Sequence, residues 1–224
     1  DTFNSFLGKD NAWKTMKAGV KMCHDAGLAV AFNTCLMRDD FYNGNFEKIM
    51  DTAKDLKACL VQLIKPKPAG GWLEREDLEL TLEDSEFIKA KVHKYNLEKT
   101  YAHYPAIAAQ IIEEDKNVFG CTAGGTDRFY INAKGDVQPC EFLNISFGNI
   151  STDNFEDIYQ KMRSVFAEGK DCFLCEKYAA KIHRLYRENN LKSLPLSPEF
   201  SEKIYRTWNR GKATPLYEQL EKLK

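Results

Sequence analysis

Cys121-Thr-Ala-Gly-Gly-Thr-Asp-Arg-Phe-Tyr-Ile-Asn-Ala-Lys-Gly-Asp-Val-Gln-Pro-Cys140 reads as two cysteines flanking a β-hairpin. Arg128 to Asn132 and Asp136 to Gln138 have the aromatic and β-branched content of strands, and Ala133-Lys134-Gly135 supplies the turn. Further on, Cys172 and Cys175 form a C-x2-C pair, whose two sulfurs can reach one metal centre from a single tight turn. Four cysteines paired in this way around turn-rich segments fit either zinc or an iron–sulfur cluster. A zinc ribbon usually offers two tight knuckles. Here only one pair is tight, and a strand–turn–strand separates Cys121 from Cys140, an open arrangement that suits a cube-shaped cluster. Gly120, Gly124 and Gly125 put small residues around Cys121, where backbone amides can approach the sulfurs, and Pro139 removes one donor just before Cys140. Spacing alone leaves both metals open.

The chain has 224 residues, 43% hydrophobic and 29% charged, which fits a globular protein of one or two domains with a sizeable core. A net charge of -1 gives no global reason to expect nucleic acid or an anionic membrane as partner. No run has the length of a membrane-spanning helix and the start has no signal-peptide pattern, so a cytoplasmic location is expected. Seven cysteines is an odd number in a chain of this size, whereas disulfide scaffolds are short and evenly paired. Four cysteines on a metal fit better, with Cys23, Cys35 and Cys59 as small hydrophobes on an apolar helix face or in buried strands. The chain opens on Asp1, as a processed, trimmed or partial chain would.

The first 71 residues alternate helix and strand. Asn11 to Ala26 carries an apolar stripe at Trp13, Met16, Val20 and Cys23, and Gly27 stops the helix. Leu28 to Met37 reads as a buried strand, a helix follows over about Asn45 to Lys57, and a second buried strand runs from about Cys59 to Ile64. This is the pattern of a parallel α/β sheet. Two such strands leave unpaired apolar edges, so the missing strands are expected from sequence outside the 224 residues or from another chain. In the first strand Ala29, Ala31, Asn33, Cys35 and Met37 share one face; in the second, Leu60, Gln62 and Ile64 do. Asn33 and Gln62 are therefore candidates for facing a polar ligand near the strand carboxyl ends, or for bonding to a neighbouring strand or loop.

Residues 65–82 read as a long loop. Thr81 and Asp84 form a capping box for a helix over Glu83 to about Tyr95, and Pro105 opens another to about Lys116. Asn154 to Glu168 is amphipathic, and helices follow over about Glu176–Asn190, Ser197–Asn209 and near the C-terminus.

Gly120-Cys-Thr-Ala-Gly-Gly, Phe129 through Cys140 and Phe147-Gly-Asn-Ile150 together resemble the auxiliary-cluster region, of SPASM or twitch type, of radical S-adenosylmethionine enzymes. Lys14 to Gly27 is similar to the helix before the fifth strand of those enzymes' barrel. Val30-Ala-Phe-Asn-Thr resembles that strand, and Leu63 to Gly70 resembles the exit of the sixth. The resemblance implies an α/β chain divided into residues 1–117, the C-terminal part of a partial (β/α) barrel with connecting helices; 118–192, the auxiliary-cluster domain; and 193–224, a helical tail. It further implies that Cys121, Cys140, Cys172 and Cys175 ligate one auxiliary [4Fe–4S] cluster, and that Asn33 and, less directly, Gln62 bind S-adenosylmethionine. The longer SPASM version adds cysteines after the C-x2-C. Here position 181 is lysine and no cysteine follows Cys175, which points to the single-cluster, twitch-like version.

Such enzymes need a C-x3-C-x2-C motif for a second, reducing [4Fe–4S] cluster, and this sequence has none. The resemblance places that motif upstream, so the chain is expected to need a missing N-terminal barrel half or another chain, and not to cleave S-adenosylmethionine alone. The intact enzyme would be an oxidoreductase or maturase acting on a peptide or small molecule, with a flavodoxin- or ferredoxin-like electron donor. In it, a 5′-deoxyadenosyl radical abstracts a hydrogen and the auxiliary cluster relays an electron. The rival is a non-catalytic zinc module on the same four cysteines. A second rival, nucleic-acid or peptide binding, rests on eight Lys/Arg against four acids in residues 161–192, a pattern that usually marks a solvated helix face.

Overall fold

The computed structural model describes residues 2–167 and 169–223, in two compact units. One unit holds the residues up to Pro66 together with Leu80–Ile111. It contains helices α1 (Thr2–Leu7), α2 (Ala12–Asp25), α3 (Asn45–Asp55) and α4 (Leu82–Leu97), and strands β1 (Ala31–Cys35), β2 (Leu60–Ile64) and β3 (Ala106–Ala109). The strands form a parallel sheet in the order β1-β2-β3, with Asn33 in register with Gln62 and Val61 with Ile107. Gly27 ends α2 as its sequence position predicts. At φ +74° it lets the Leu28 amide turn back to the Cys23 carbonyl at 2.9 Å.

The two faces of the sheet differ. Val61, Leu63, Ile107 and Ala109 are buried, as are Phe46, Met50 and Ala53 of α3 and Ile88 and Val92 of α4; these make the unit's core. The opposite face carries Asn33, which is exposed, and Gln62, which is half-buried. Cys35 and Cys59 are exposed and Cys23 is half-buried, so they are not the enclosed small hydrophobes that the sequence predicts. For Cys35 the reason is that β1 alternates between exposed and half-buried positions along its whole length, as a strand does when neither of its faces is fully covered.

The helix expected to open at Pro105 is a strand instead. The short Ala-Ile-Ala-Ala run has little preference of its own, and tertiary pairing decides it. One side of β3 pairs with β2. On the other, Asn96 at the end of α4 donates from Nδ2 to the Ile107 carbonyl at 2.8 Å and accepts the Ile107 amide at 2.9 Å. A side-chain amide thus stands in for one residue of a fourth strand and blunts the edge. The partner for the edge of β2, expected from sequence outside the 224 residues or from another chain, is instead β3 of this chain. A one-turn helix, α5 (Gln110–Glu113), follows β3. Three strands alone do not define a barrel, so the class that stands is mixed α/β.

The start of α4 carries the predicted capping box. Asp84 accepts from the Thr81 amide at 3.0 Å and hydroxyl at 2.7 Å, and its other oxygen accepts from Arg38 Nε at 2.9 Å and the Tyr42 hydroxyl at 2.7 Å. This buried carboxylate is fully hydrogen-bonded, and it ties the turn after β1 to α4.

The other unit holds Lys67–Glu79 and the residues from Ile112 onward. Its antiparallel sheet has the order β4 (Tyr130–Ile131), β5 (Asp136–Gln138) and β6 (Gly148–Asn149). Helices α6 (Phe155–Val165), α7 (Leu174–Lys177), α8 (Ala179–Glu188), α9 (Pro198–Tyr205) and α10 (Pro215–Glu221) complete it. Glu168, the predicted end of the amphipathic helix, lies outside the described residues. The predicted 176–190 helix is broken at Tyr178 into α7 and α8. The hairpin turn is held by Asn149, whose Nδ2 donates to the Lys134 carbonyl at 2.8 Å and to Asp136 Oδ1 at 2.9 Å. The core includes Val137, Leu143, Ile145, Met162, Phe166, Leu174 and Ile182. Leu196 and Ile204, from the stretch that sequence sets apart as a tail, are fully buried in the same core.

Candidate metal centre

All four cysteines of the hairpin and C-x2-C segments lie in this second unit, and none forms a disulfide. Cys140 and Cys175 are buried members of its core; Cys121 and Cys172 are partly buried and pack against it. Cys121 is held by an antiparallel bridge to Lys170, two residues before Cys172. That approach requires glycine at position 120, whose φ is +62° and whose added Cβ would sit 2.3 Å from the Lys170 carbonyl oxygen. Cys140 follows β5, and the Pro139 carbonyl accepts the Gly124 amide at 2.8 Å. Cys175 lies within the single turn of α7.

The Cys172 end is braced by the stretch after α9. Lys170 bridges to Ala213, the Asp171 amide donates to the Lys212 carbonyl at 2.9 Å, and the Lys212 amide donates to Asp171 Oδ1 at 2.9 Å. Gly211, at φ +81°, passes so close that an added Cβ would lie 1.8 Å from Asp171 Oδ1 and 3.2 Å from the Cys172 Cβ. The first cysteine, the C-x2-C segment and the 211–214 stretch therefore run side by side.

Electrostatics link the thiols. Burial pushes the Cys140 thiol well up, and the neighbouring Cys175 and Cys121 push it further. Burial pushes Cys175 up to about 12, against the opposing field of the Lys67 ammonium. Cys172 is raised by burial, with Lys177 opposing and Cys121 adding to the rise. In this core such thiols stay protonated at neutral pH unless a cation replaces the protons. Among the described residues, no group of three or more His, Cys, Asp or Glu side chains is already set as a ligand cage for a metal ion. The donor set itself, four free thiols in or packed against one core, has the chemistry of iron–sulfur ligation.

Residues 121–180, which contain all four cysteines, match the SPASM family, an iron–sulfur cluster-binding domain. The chain is 26% identical to the AdoMet-dependent heme synthases of Nitratidesulfovibrio vulgaris and Oleidesulfovibrio alaskensis, over 70% of its own length and 47% and 45% of theirs. It is 26% identical to the AdoMet-dependent heme synthase of Methanosarcina barkeri, over 79% of its own length and 56% of that protein. The SPASM match and these relatives make the chain similar to radical S-adenosylmethionine enzymes that carry a SPASM domain. It spans about half the length of the curated relatives it matches. No solved structure matches it. Among the described residues, no helix is long and apolar enough to cross a membrane.

Asn33 and Gln62 are brought together in the first unit as register partners on the open face of the parallel sheet. Neither side chain makes a hydrogen bond among the described residues, so the neighbouring-strand partner that either one required as a buried amide is not what is seen. In the second unit the basic 161–192 stretch is partly spent on the fold. Arg163 donates to the Gly124 carbonyl at 3.0 Å, Lys177 to the Asn209 carbonyl at 3.2 Å and Lys181 to the Thr207 hydroxyl at 2.8 Å. Two features of the second unit leave little trace in the sequence. Lys67 looked like part of a polar loop, and its only signal was a lysine between two prolines. The 211–214 stretch offered only Gly211.

Proposed function

We propose that this chain holds one auxiliary [4Fe–4S] cluster of a radical S-adenosylmethionine enzyme, with Cys121, Cys140, Cys172 and Cys175 as its four ligands. The observation that carries this is the gathering of four free thiols in and against one core, inside the segment that matches an iron–sulfur cluster-binding domain. When bound, such a cluster supplies one-electron transfer at a potential set by hydrogen bonds and solvent access. The protein's part is positional. Cys140 and Cys175 supply sulfurs from the dry interior, and the ladder through Cys121, Lys170 and Ala213 holds the other two at its edge. Four protein ligands leave no iron corner open, which favours electron transfer over direct substrate binding.

Asn33 and Gln62 are proposed to face the S-adenosylmethionine side of the parallel sheet, where their unspent amides serve the cofactor's polar groups. The sequence contains no C-x3-C-x2-C motif, so cleavage of that cofactor is not assigned to these residues. The relatives' shared name makes a small molecule of the haem-forming type the first substrate class to test. The assignment is tested by metal analysis of anaerobically purified protein. Iron with acid-labile sulfide, lost in Cys140→Ala, is expected; zinc in place of iron, or a Cys140→Ala variant with full cluster absorbance, defeats it.

A further inference from the structure

Lys67 is 4% exposed. Its Nζ lies 2.8 Å from Glu176 Oε1 and 4.4 Å from the centroid of the Phe173 ring. Phe173 and Glu176 stand on either side of Cys175 in sequence, so the ammonium rests on the turn that carries that thiol. Lysine is almost never this buried unless its charge is compensated. The Glu176 side chain is 36% exposed, which makes it a weak counter-charge for a desolvated ammonium. Burial works against the Lys67 charge, but Cys175 first, then Glu176 and Glu114, outweigh it, and the net shift is upward. Glu114 is itself paired with Arg128. A deprotonated, ligated Cys175 on that same turn would add the counter-charge that Glu176 supplies only weakly.

We propose that Lys67 is a positioning residue for the auxiliary cluster: its buried charge offsets the negative charge of the four thiolates, favours cluster insertion and raises the reduction potential. The physical reason is that the electron added on reduction feels a fixed positive charge through a medium that screens poorly. This rests on the cluster assignment above.

The test compares the full chain with Lys67→Met, Lys67→Arg and Glu176→Gln, each purified anaerobically and loaded with iron and sulfide. Three readouts are taken: iron per chain, midpoint potential by spectroscopic redox titration, and unfolding midpoint of the apo-protein. Lys67→Met is expected to disfavour reduction by about tenfold, a downward shift of about 59 mV for one electron, and to lower iron occupancy. Lys67→Arg keeps the charge and should stay near wild type, whereas Glu176→Gln leaves Lys67 less neutralised and should shift the potential upward. An ordinary structural ion pair would cost stability in both neutralising variants without opposite shifts in potential. If Lys67→Met does not fold, the sign for Glu176→Gln decides. Fully loaded variants with unchanged potentials, or a downward shift in Glu176→Gln, overturn the proposal while leaving the cluster assignment intact. A wild-type chain that takes up no iron overturns both.

Discussion

Cys121 and Lys170 exchange both backbone hydrogen bonds, the Cys121 amide donating to the Lys170 carbonyl at 2.7 Å and the Lys170 amide donating back at 3.2 Å. This single bridge brings the first cysteine beside the C-x2-C segment, across nearly fifty residues of sequence. It depends on close backbone approach, and so on the residue just before Cys121.

Gly120→Ala should therefore break the site. A Cβ there would meet a backbone oxygen at 2.3 Å and the Thr214 methyl at 2.6 Å, on a backbone whose φ favours glycine. Overpacking of this kind costs about 1–3 kcal/mol, and iron occupancy should fall with it. Gly19→Ala is the contrast. Gly19 lies inside α2 with nothing within 4 Å of an added Cβ, and the substitution should gain about 0.5–1 kcal/mol. Denaturant unfolding of both variants, with iron assays, checks the pair.

Asn96→Ala should loosen the edge of the parallel sheet. It removes both side-chain bonds to Ile107, at about 0.5–1.5 kcal/mol each when the groups freed can reach water, and unprotects the Ile107 amide. Asn96→Asp keeps the acceptor and should lose less. Hydrogen exchange at Ile107 and equilibrium unfolding measure the two effects.

These two sites also mark what the sequence could and could not disclose. The helix–strand alternation, the Gly27 stop, the Thr81–Asp84 box and the hairpin between Cys121 and Cys140 were legible, because each follows from local chemistry. Strand β3 was not. Four small residues after a proline carry no period, and only the facing edge of β2 and the Asn96 amide make them a strand. The four cysteines were legible as a group, whereas their brace at 211–214 was not, because it depends on contact across some forty residues. Lys67 shows the same limit: burial of a lysine cannot be read from its neighbours in sequence.

Acid should release the first unit through Asp84. Hydrogen bonds first from Arg38, then from Tyr42 and Thr81, hold its carboxyl far below the usual range. A depressed folded pKa stabilises above the unfolded value, about 4, and that contribution is lost progressively as pH falls below it toward the folded value. Asp84→Asn should be less stable than wild type at neutral pH and should show a flatter loss of stability below about pH 4. Unfolding midpoints measured from pH 7 to pH 3 check this. Equal slopes in the two proteins would contradict it.

The most direct test of the cluster assignment is iron and acid-labile sulfide per chain in anaerobically prepared protein, with the cluster type read by Mössbauer spectroscopy. One [4Fe–4S] cluster on Cys121, Cys140, Cys172 and Cys175 gives about four iron and four sulfide per chain, with occupancy falling on replacement of any of the four cysteines. Stoichiometric zinc without sulfide, or a full iron complement in the Cys140→Ala chain, would contradict it.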